Sequence, residues 1–294
     1  MKIAIIGGQG FIGRELTRQA IASGHEVLIV DMLEYDCSED DFTYRRCDLN
    51  DISREEEIDA DAMVILAARR PYDGFSFDDY SNNVAIANTC LEWAKKSGIT
   101  NVVFASSKAV FSEQETIPWT EEMYTKPLSL YGASKVAVEQ ISELLSRKSG
   151  MRIKCLRFAQ VIGMGERKGF LINTLIDNAI GKKQQVIYGD GSQRRQYIYV
   201  KDVCASVLAA AQAADASGVF NIGMPGAVSN LELAECVNEV FGNAGNLICD
   251  PSKPMDSFCD EMDVSKAKRE LGWSAAFDLR GLFEDIKDTE GYGE

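Results

Sequence analysis

The sequence predicts an α/β fold, a doubly wound parallel sheet followed by a smaller C-terminal α+β lobe, on three observations. Short apolar runs alternate with longer amphipathic runs through the first half, as in parallel strands joined by crossover helices. After about residue 160, closely spaced glycines break the chain into shorter pieces. The length of 294 residues suits one large α/β unit with an appended lobe, and such a chain can bury roughly 75% of its unfolded surface.

The predicted elements occur in the order that a parallel sheet with crossovers requires. Strands are predicted at 2–6, 26–30, 42–46, 62–66, 101–105 and 152–157. Helices are predicted at 10–22, 77–97, 129–149, 201–214, 230–241 and 264–271. We therefore expect a larger N-terminal domain, 1–160, and a lobe, 161–294, that caps the carboxyl edge of the sheet. Some segments of the lobe are expected to return to the core of the larger domain.

The charge of the chain limits its partners. A net charge of -14 argues against binding to nucleic acid or to an anionic membrane surface, since both attract basic proteins. The apolar start of the chain is too short for a signal peptide, and no later apolar run reaches the length of a membrane span. We therefore expect a cytoplasmic protein without a nucleic-acid or membrane partner.

The cysteines and the histidine restrict the chemistry. The eight cysteines form no CxxC pair and lie in apolar segments, so we expect them to be reduced and buried, as in the cytoplasm. His25 is the only histidine in the sequence and is expected at a strand entrance, facing solvent. A zinc motif with two histidines is excluded, and we predict no metal site. Acid–base chemistry must therefore fall to other residues.

A glycine-rich turn follows the first predicted strand and opens the first predicted helix. Gly7, Gly10 and Gly13 have the spacing GxxGxxG. Gly7 permits a tight turn, Gly10 lets the backbone approach a pyrophosphate, and Gly13 lets the helix pack on the strand. The N–H groups at the helix start, including those of Phe11 and Ile12, attract phosphate. This pattern in this context predicts a Rossmann-type dinucleotide site rather than a structural glycine turn.

An acidic residue at the end of the second predicted strand indicates which dinucleotide binds. Asp31 lies 18 residues after Gly13 and can accept hydrogen bonds from the adenosine ribose hydroxyls. Asp31 would repel a 2′-phosphate, and Met32 offers no cation, so NAD is favoured over NADP. The alternative for Asp31 is a solvated turn residue. Asp48 and Leu49 end the third strand and are candidates for the adenine site, although a strand-end aspartate also caps helices.

A second motif carries acid–base chemistry. Tyr131 and Lys135 are spaced YxxxK at the start of a predicted helix, so phenol and ammonium lie on one helical face. A nearby ammonium favours the phenolate, which makes Tyr131 usable as an acid or base. The strand at 101–105 runs into Ser106 and Ser107, and a hydroxyl there would share a proton with a bound substrate. The alternative is a serine that caps the following loop.

Together these motifs resemble the extended short-chain dehydrogenases/reductases, within the NAD-dependent epimerase/dehydratase family, whose best-known members are UDP-hexose 4-epimerases. The resemblance covers nearly the whole chain. Besides the motifs above, it is carried by 66–68, 83–84, 110–111, 156–158, 189–195, 197–203, 220–223 and 265–268.

The resemblance implies roles for particular residues. It implies that Ser107, Tyr131 and Lys135 are catalytic, that Lys135 also holds the nicotinamide ribose, and that Ser107 and Tyr131 contact the substrate. It places Ala67 in the cofactor site and Arg195 against the diphosphate of a nucleotide sugar. A guanidinium group suits that task. It further implies a homodimer in which the helices at 77–97 and 129–149 pair with their copies.

Three positions and one segment depart from the family pattern. Gln160, expected to bind substrate, stands where an asparagine is usual near the substrate phosphates. Gln196 replaces the aspartate that usually follows the diphosphate arginine, and Phe111 replaces a tyrosine. The stretch from Met255 to Met262 lacks the arginine that relatives commonly place there. These departures leave the identity of the nucleotide sugar open.

The residues after Ser107 favour one reaction. By the resemblance, 4,6-dehydratases carry an Asp-Glu pair there, whereas this chain has Lys108 and Ala109, which disfavours dehydration and decarboxylation. We predict an NAD-dependent 4-epimerase of a UDP-hexose or UDP-N-acetylhexosamine, acting by hydride removal and return at C4. The alternatives are a reductase of a 4-keto nucleotide sugar and a non-catalytic NAD-sensing regulator on the same fold.

Overall fold

The computed structural model of the protein describes residues 1–35, 41–49, 57–70, 74, 76–111, 116–166, 171–253 and 259–289. The strands are β1 (Lys2–Ile6), β2 (Glu26–Asp31), β3 (Thr43–Arg46), β4 (Ala62–Ile65), β5 (Asn101–Ser107), β6 (Arg152–Phe158), β7 (Gln160–Ile162), β8 (Gln185–Tyr188), β9 (Arg194–Arg195), β10 (Tyr197–Tyr199), β11 (Gly218–Ile222), β12 (Val228–Ser229), β13 (Leu247–Asp250) and β14 (Cys259–Asp260). The helices are α1 (Phe11–Ala22), α2 (Phe77–Lys96), α3 (Leu130–Ser149), α4 (Leu171–Ile180), α5 (Val200–Gln212), α6 (Asn230–Val240), α7 (Ser265–Leu271) and α8 (Leu279–Thr289).

Seven of these strands form one sheet in the order β11-β6-β5-β4-β1-β2-β3, and each neighbouring pair is parallel. The order reverses at β1, whose neighbours are β2 on one side and β4 on the other. Connections that leave the sheet in opposite directions open a crevice at such a point, beyond the carboxyl ends of the strands. The predicted Rossmann-type α/β fold is confirmed.

The central strands of the sheet are buried on both faces, which explains why β1, β2 and β4 are almost continuously apolar. Alternate residues of β1 point to opposite sides because the side-chain period of a strand is two. Ile3 and Ile5 join one core cluster, and Ala4 and Ile6 join another. On the first side α1 packs against α5, and on the second α2 packs against α3.

The start of α3 is fixed by its caps, and this matters for the site. The Ser129 hydroxyl accepts a hydrogen bond from the Gly132 N–H at 3.1 Å, which begins the helix at Leu130. At the other end Gly150 has a φ of 69°, the left-handed conformation that glycine adopts at low cost. Tyr131 therefore lies in the first turn of α3.

The C-terminal part of the chain contributes small sheets at the carboxyl end of the main sheet, whereas its β11 and α5 join the main sheet and the helices that cover it. β10 pairs with β7, β9 pairs with β12 and β14, and β13 pairs with β8. The buried Asp202 carboxylate accepts the backbone N–H groups of Ala276 and Phe277, which ties the segment before α8 to α5. These pairings bring β7 and β9, from distant parts of the chain, to the edge of the crevice.

Some elements were absent from the sequence prediction. α4, α8 and the strands from β7 to β14 were not predicted, although Leu282, Phe283 and Ile286 of α8 have a helical spacing and are buried. The other helices differ from prediction by two residues or fewer at either end. Within the described part of the chain, no helix has the length and apolar character that a bilayer span requires.

The cysteine prediction was wrong at several positions. Cys90, Cys155, Cys204 and Cys236 are buried as expected, but Cys249 is exposed and Cys47 and Cys259 are only half-buried. Cys249 lies on β13, a strand of a small two-stranded sheet with little to cover it. Cys37 lies outside the described residues. His25 is half-buried at the entrance of β2, where its Nδ1 lies 3.5 Å from the N-terminal amine.

Candidate active site

The glycine loop after β1 is shaped by the lack of side chains. Gly7 has a φ of 86°, and a Cβ atom there would lie 2.8 Å from the backbone nitrogen of Ala67. A Cβ on Gly13 would lie 2.6 Å from the carbonyl oxygens of Gly7 and Gly8. The sequence predicted that Gly13 lets α1 pack on a strand, but the contact is with the loop itself. Gly7 and Gly13 are thus required by the fold, before any ligand binds.

Gly10 and the first turn of α1 face outward from this loop. Gly10 is the N-cap of α1 with a φ of -73°, and no side chain caps the helix. The first turn contains no acidic residue, so the partial positive charge at the N–H groups of Phe11 and Ile12 is not offset there. Such a helix end suits the pyrophosphate of a dinucleotide.

Asp31 lies beside this loop at the end of β2. Its Oδ2 accepts the Gln9 N–H at 2.9 Å and its Oδ1 accepts the Leu33 N–H at 3.2 Å. A carboxylate oxygen has two lone pairs, so both oxygens can also accept bonds from ribose hydroxyls. The loop and Asp31 together fit NAD, with the pyrophosphate at α1 and the adenosine ribose at Asp31.

The two candidates for the adenine site differ in exposure. Asp48 is exposed just beyond the end of β3. Leu49 is buried, and its side chain belongs to the same core cluster as Ile6 and Ile65. Only the backbone of Leu49 is therefore suited to contact an adenine ring.

The predicted catalytic motif, Tyr131 and Lys135, lies at the start of α3. Lys135 is buried, and its Nζ donates a hydrogen bond to the Ala105 carbonyl oxygen at 2.8 Å. The same Nζ lies 5.5 Å from the ring centre of Tyr131 and 4.6 Å from that of Phe104. The bond to β5 positions the lysine so that its ammonium group lies near the phenol.

Burial also changes the acidity of this lysine. Desolvation lowers the pKa of Lys135 to about 8, and the cation of Arg70 acts in the same direction, whereas the carboxylate of Glu139 opposes it. At neutral pH the ammonium form still predominates. Its positive charge favours the phenolate of Tyr131 over the phenol.

Ser107 ends β5, where its side chain caps a turn and also lies in the wall of a cleft. Its Oγ accepts the Ala109 N–H at 3.1 Å and so caps the short 3-10 turn Lys108–Val110. Ser107 therefore caps the following loop, which was the alternative predicted from the sequence. It also lines the cleft at the carboxyl end of β5. Ser106 points elsewhere, since its buried hydroxyl donates to Glu139 at 2.5 Å.

A cleft of about 390 Å³ lies at the carboxyl end of β5, between the sheet and the C-terminal lobe. Ser107, Tyr131, Lys135, Gln160 and Arg195 all line it, and Ile12 of the glycine loop reaches the same space. The predicted catalytic and substrate-binding residues are therefore brought together. Asp31, Asp48 and Leu49 follow β2 and β3, on the other side of the point where the strand order reverses.

Comparison with known proteins identifies the family. The sequence model of the NAD dependent epimerase/dehydratase family matches residues 3–223. The chain belongs to this family. The family assignment, the NAD cofactor and the enzymatic nature predicted from the sequence are confirmed.

Three relatives show the range within the family. UDP-glucose 4-epimerase of Corynebacterium glutamicum is 28% identical, over 97% of this chain and 94% of the relative. The solved structure of UDP-N-acetylglucosamine 4-epimerase from Bacillus cereus has a TM-score of 0.85 and 32% identity, over 98% of this chain and 99% of that one. A dTDP-glucose 4,6-dehydratase of Streptomyces niveus is 27% identical, over 98% of this chain and 92% of the relative. Because epimerases and a dehydratase are similarly distant, site residues must distinguish the reactions.

The cleft of this family member is positively charged although the whole chain is acidic. Among the described residues that line it, Arg70, Lys108, Lys135 and Arg195 are cationic, and Asp260 is acidic. The chain as a whole carries a net charge of -14. Such a local excess of positive charge attracts an anionic ligand such as a nucleotide diphosphate. Arg70 and Asp260 were not found from the sequence, because neither lies in a motif.

An ion pair that sequence reasoning missed crosses the cleft wall. Lys108 Nζ lies 2.6 Å from Asp260 Oδ2, and Asp260 Oδ1 accepts the Gln196 N–H at 2.8 Å. The Gln196 amide donates to the carbonyl oxygens of Met224 and Met262 and accepts the Met262 N–H. An aspartate could not donate these bonds, so glutamine at 196 serves as a link within the lobe.

A second buried ion pair lies behind Tyr131 and Lys135. Arg157 donates to both carboxylate oxygens of Glu139, at 3.0 and 2.8 Å, and lies over the ring of Phe111 at 4.8 Å. Because Ser106 also bonds Glu139, this carboxylate joins α3 to β5 and β6. Glu139 lies four residues after Lys135, on the same helical face, and that spacing was the signal available in the sequence.

Proposed function

We propose that the protein is an NAD-dependent nucleotide-sugar 4-epimerase acting on a UDP-hexose or UDP-N-acetylhexosamine. The observation that carries the proposal is that Ser107, Tyr131 and Lys135 share one cleft with Arg195. A hydroxyl, a phenol and an ammonium there can act on a sugar hydroxyl while a guanidinium holds the diphosphate. Bound NAD supplies hydride removal and return at the sugar C4.

The three catalytic side chains divide the proton chemistry. The Tyr131 oxygen takes the proton of the C4 hydroxyl and later gives it back, and the Lys135 ammonium stabilises the phenolate between these steps. Ser107 Oγ already accepts the Ala109 N–H, so its own proton is available to bond the C4 oxygen. In this arrangement the chain moves protons only at C4.

The substrate diphosphate is assigned to the lobe side of the cleft. Arg195 on β9 and Gln160 on β7 both line it. A guanidinium group can hold two phosphate oxygens with parallel hydrogen bonds. Gln160 adds a neutral donor at the position where the family commonly has an asparagine. This assignment leaves the sugar to lie between Arg195 and Tyr131.

The residues after Ser107 disfavour the dehydratase reaction of some relatives. Dehydration needs a group that removes a proton from C5, but Ala109 ends in a methyl group. The Lys108 ammonium is bonded to Asp260 at 2.6 Å and is a poor base in that form. A reductase of a 4-keto sugar remains the alternative, since it would use the same Tyr131 and Lys135.

We also propose a homodimer, a cytoplasmic location and the absence of nucleic-acid partners. α2 and α3 pack on each other and carry exposed apolar side chains, with Phe77 75% and Leu144 50% exposed. A two-fold contact between copies would cover them. Free cysteines support the location, and the net charge of -14 disfavours nucleic acid. Light scattering that gives a monomer at micromolar concentration would contradict the dimer.

A screen of nucleotide sugars tests the proposed activity. UDP-, GDP- and dTDP-sugars are incubated with protein purified without added nucleotide, and the products are followed by NMR. We expect interconversion of a UDP-sugar with its C4 epimer, and the Tyr131→Phe protein serves as the matched control. A product that forms only with stoichiometric NADH would instead identify a reductase.

A further inference from the structure

Lys108 occupies a position in the cleft to which the proton chemistry at C4 gives no task. It directly follows Ser107, and consecutive Cα atoms are about 3.8 Å apart. Lys108 lines the cleft and its side chain is 17% exposed, so part of the side chain is accessible from the ligand side. If Ser107 bonds the C4 oxygen, the ammonium lies within reach of the neighbouring sugar carbons.

The ammonium is fixed by a buried partner. Its distance to Asp260 Oδ2 is 2.6 Å, and the Asp260 side chain is only 2% exposed. Asp260 is itself held by the Gln196 N–H and lies opposite Arg195 in the β14–β9 pair. The bond to Asp260 uses one of the three N–H donors of lysine, which leaves two for a ligand. Burying this charged pair is costly, and apolar residues at both positions would avoid that cost.

The charge of the pair indicates what it binds. The carboxylate of Asp260 offsets the positive charge of Lys108, so the pair attracts a phosphate less strongly than Arg195 does. Burial lowers the pKa of Lys108, and the nearby Arg195 acts in the same direction, whereas Asp260 opposes both. Because the Asp260 carboxylate offsets its charge and two N–H groups remain, the Lys108 ammonium is suited to an uncharged acceptor such as a sugar hydroxyl.

We propose that Lys108, positioned by Asp260, is a specificity-determining residue that donates a hydrogen bond to a sugar hydroxyl close to C4. The acceptor is the hydroxyl of C3, which adjoins C4, or the hydroxyl of C6, which is attached to C5, and the site therefore prefers sugars that carry the contacted hydroxyl. This inference rests on the proposed function for the orientation of the sugar.

The test pairs one substitution with two substrate analogues. Lys108→Met is compared with the wild type on the parent UDP-hexose, on UDP-xylose, which lacks C6, and on the 3-deoxy analogue of the parent. Binding to the NAD-loaded protein is measured by calorimetry, and kcat/KM is measured alongside. Losing a hydrogen bond to a charged donor should weaken binding of the parent roughly 10- to 100-fold.

One analogue should be insensitive to the substitution, and it identifies the contacted hydroxyl. The analogue without that hydroxyl binds wild type and variant equally, because the interaction is already missing, whereas the other analogue loses as much as the parent. Equal losses for all three sugars would overturn the inference in favour of a phosphate or structural role. So would an unchanged affinity for the parent.

A second variant controls for misfolding that an unpaired Asp260 carboxylate could cause in Lys108→Met. Lys108→Met combined with Asp260→Asn removes both charges and keeps an acceptor oxygen for the Gln196 N–H. We expect the same pattern of selectivity from this double variant, and full recovery of parent binding would overturn the inference. Because binding is measured independently of turnover, a wild type that binds the parent but forms no C4 epimer would count against the proposed function alone.

Discussion

The two halves of the crevice, the glycine loop after β1 and the cleft after β5, are built by different means. In the loop, Gly7 and Gly13 leave no space for a Cβ atom, and the binding groups are backbone N–H groups within a few consecutive residues. In the cleft, the candidate binding groups are charged, hydroxyl and amide side chains that come from β5, α3, β7, β9 and β14. A site made of backbone is sensitive to added volume, whereas one made of side chains is sensitive to the chemistry of single residues.

The largest expected effect is in the cleft, at Tyr131. Tyr131→Phe removes the hydroxyl that takes and returns the proton, so kcat should fall on the order of 10²–10⁴-fold. The glycine loop is untouched, and we expect the melting temperature and the bound NAD to stay at wild-type values. Turnover close to that of the wild type would remove Tyr131 from the acid–base role.

The next effect separates two neighbouring arginines. Arg195→Ala should raise KM for the nucleotide sugar by an amount equivalent to about 2–5 kcal/mol, since a charged hydrogen bond to phosphate is lost. Arg194→Ala is the matched control, because Arg194 points away to Glu232 at 3.2 Å. NAD affinity should not change in either variant. Equal KM values for the two variants would show that Arg195 does not hold the diphosphate.

Two alanine substitutions in the loop distinguish fold from ligand binding. Gly13→Ala places a Cβ 2.6 Å from two carbonyl oxygens and should destabilise the protein by about 1–3 kcal/mol. Gly10→Ala meets only the Gly7 carbonyl oxygen at 3.3 Å, at a φ that alanine adopts readily. We expect Gly10→Ala to keep its melting temperature and to lose NAD affinity. If Gly10→Ala binds NAD normally, the backbone approach assigned to this position is wrong.

The smallest expected effect is on the pH dependence of kcat/KM, and a comparison of two buried lysines tests its cause. Burial lowers the pKa of both Lys135 and Lys154 to about 8. The ammonium form of Lys135 supports the phenolate, so kcat/KM should fall as the pH rises through about 8. Lys154 bonds Asn101, where β5 begins, away from the cleft. The Lys154→Met protein should therefore show the same fall in kcat/KM as the pH rises through about 8.

Lys154 should instead affect stability. Its folded pKa of about 8 lies below the ordinary 10.5, so burial of the ammonium costs stability in full below pH 8. The cost diminishes between pH 8 and 10.5, where the unfolded chain still binds the proton, and vanishes above that range. Lys154→Met should therefore raise the melting temperature at pH 7 and have little effect near pH 10.5. A stabilisation that is independent of pH would contradict this cause.

The same contrast explains what could be predicted from the sequence. The glycine loop and the pair Tyr131/Lys135 lie within short segments whose spacing fixes their geometry, and Asp31 directly ends a strand. The contact between Lys108 and Asp260 spans 152 residues, and no local pattern connects them. The link from Glu139 to Arg157 depends equally on how α3 packs on β6. Sequence reasoning therefore predicted residues that the fold brings into the crevice but missed part of the cleft wall.

In the proposed 4-epimerase reaction, one hydride leaves C4 of the sugar and returns to it within a single site. The most direct measurement uses a UDP-hexose or UDP-N-acetylhexosamine with deuterium at C4 and protein purified without added nucleotide. We predict that both C4 epimers appear in the NMR spectrum with the deuterium still at C4, and that no reduced nicotinamide accumulates. Loss of the label from C4, or a product that requires added NADH, would contradict the epimerase mechanism.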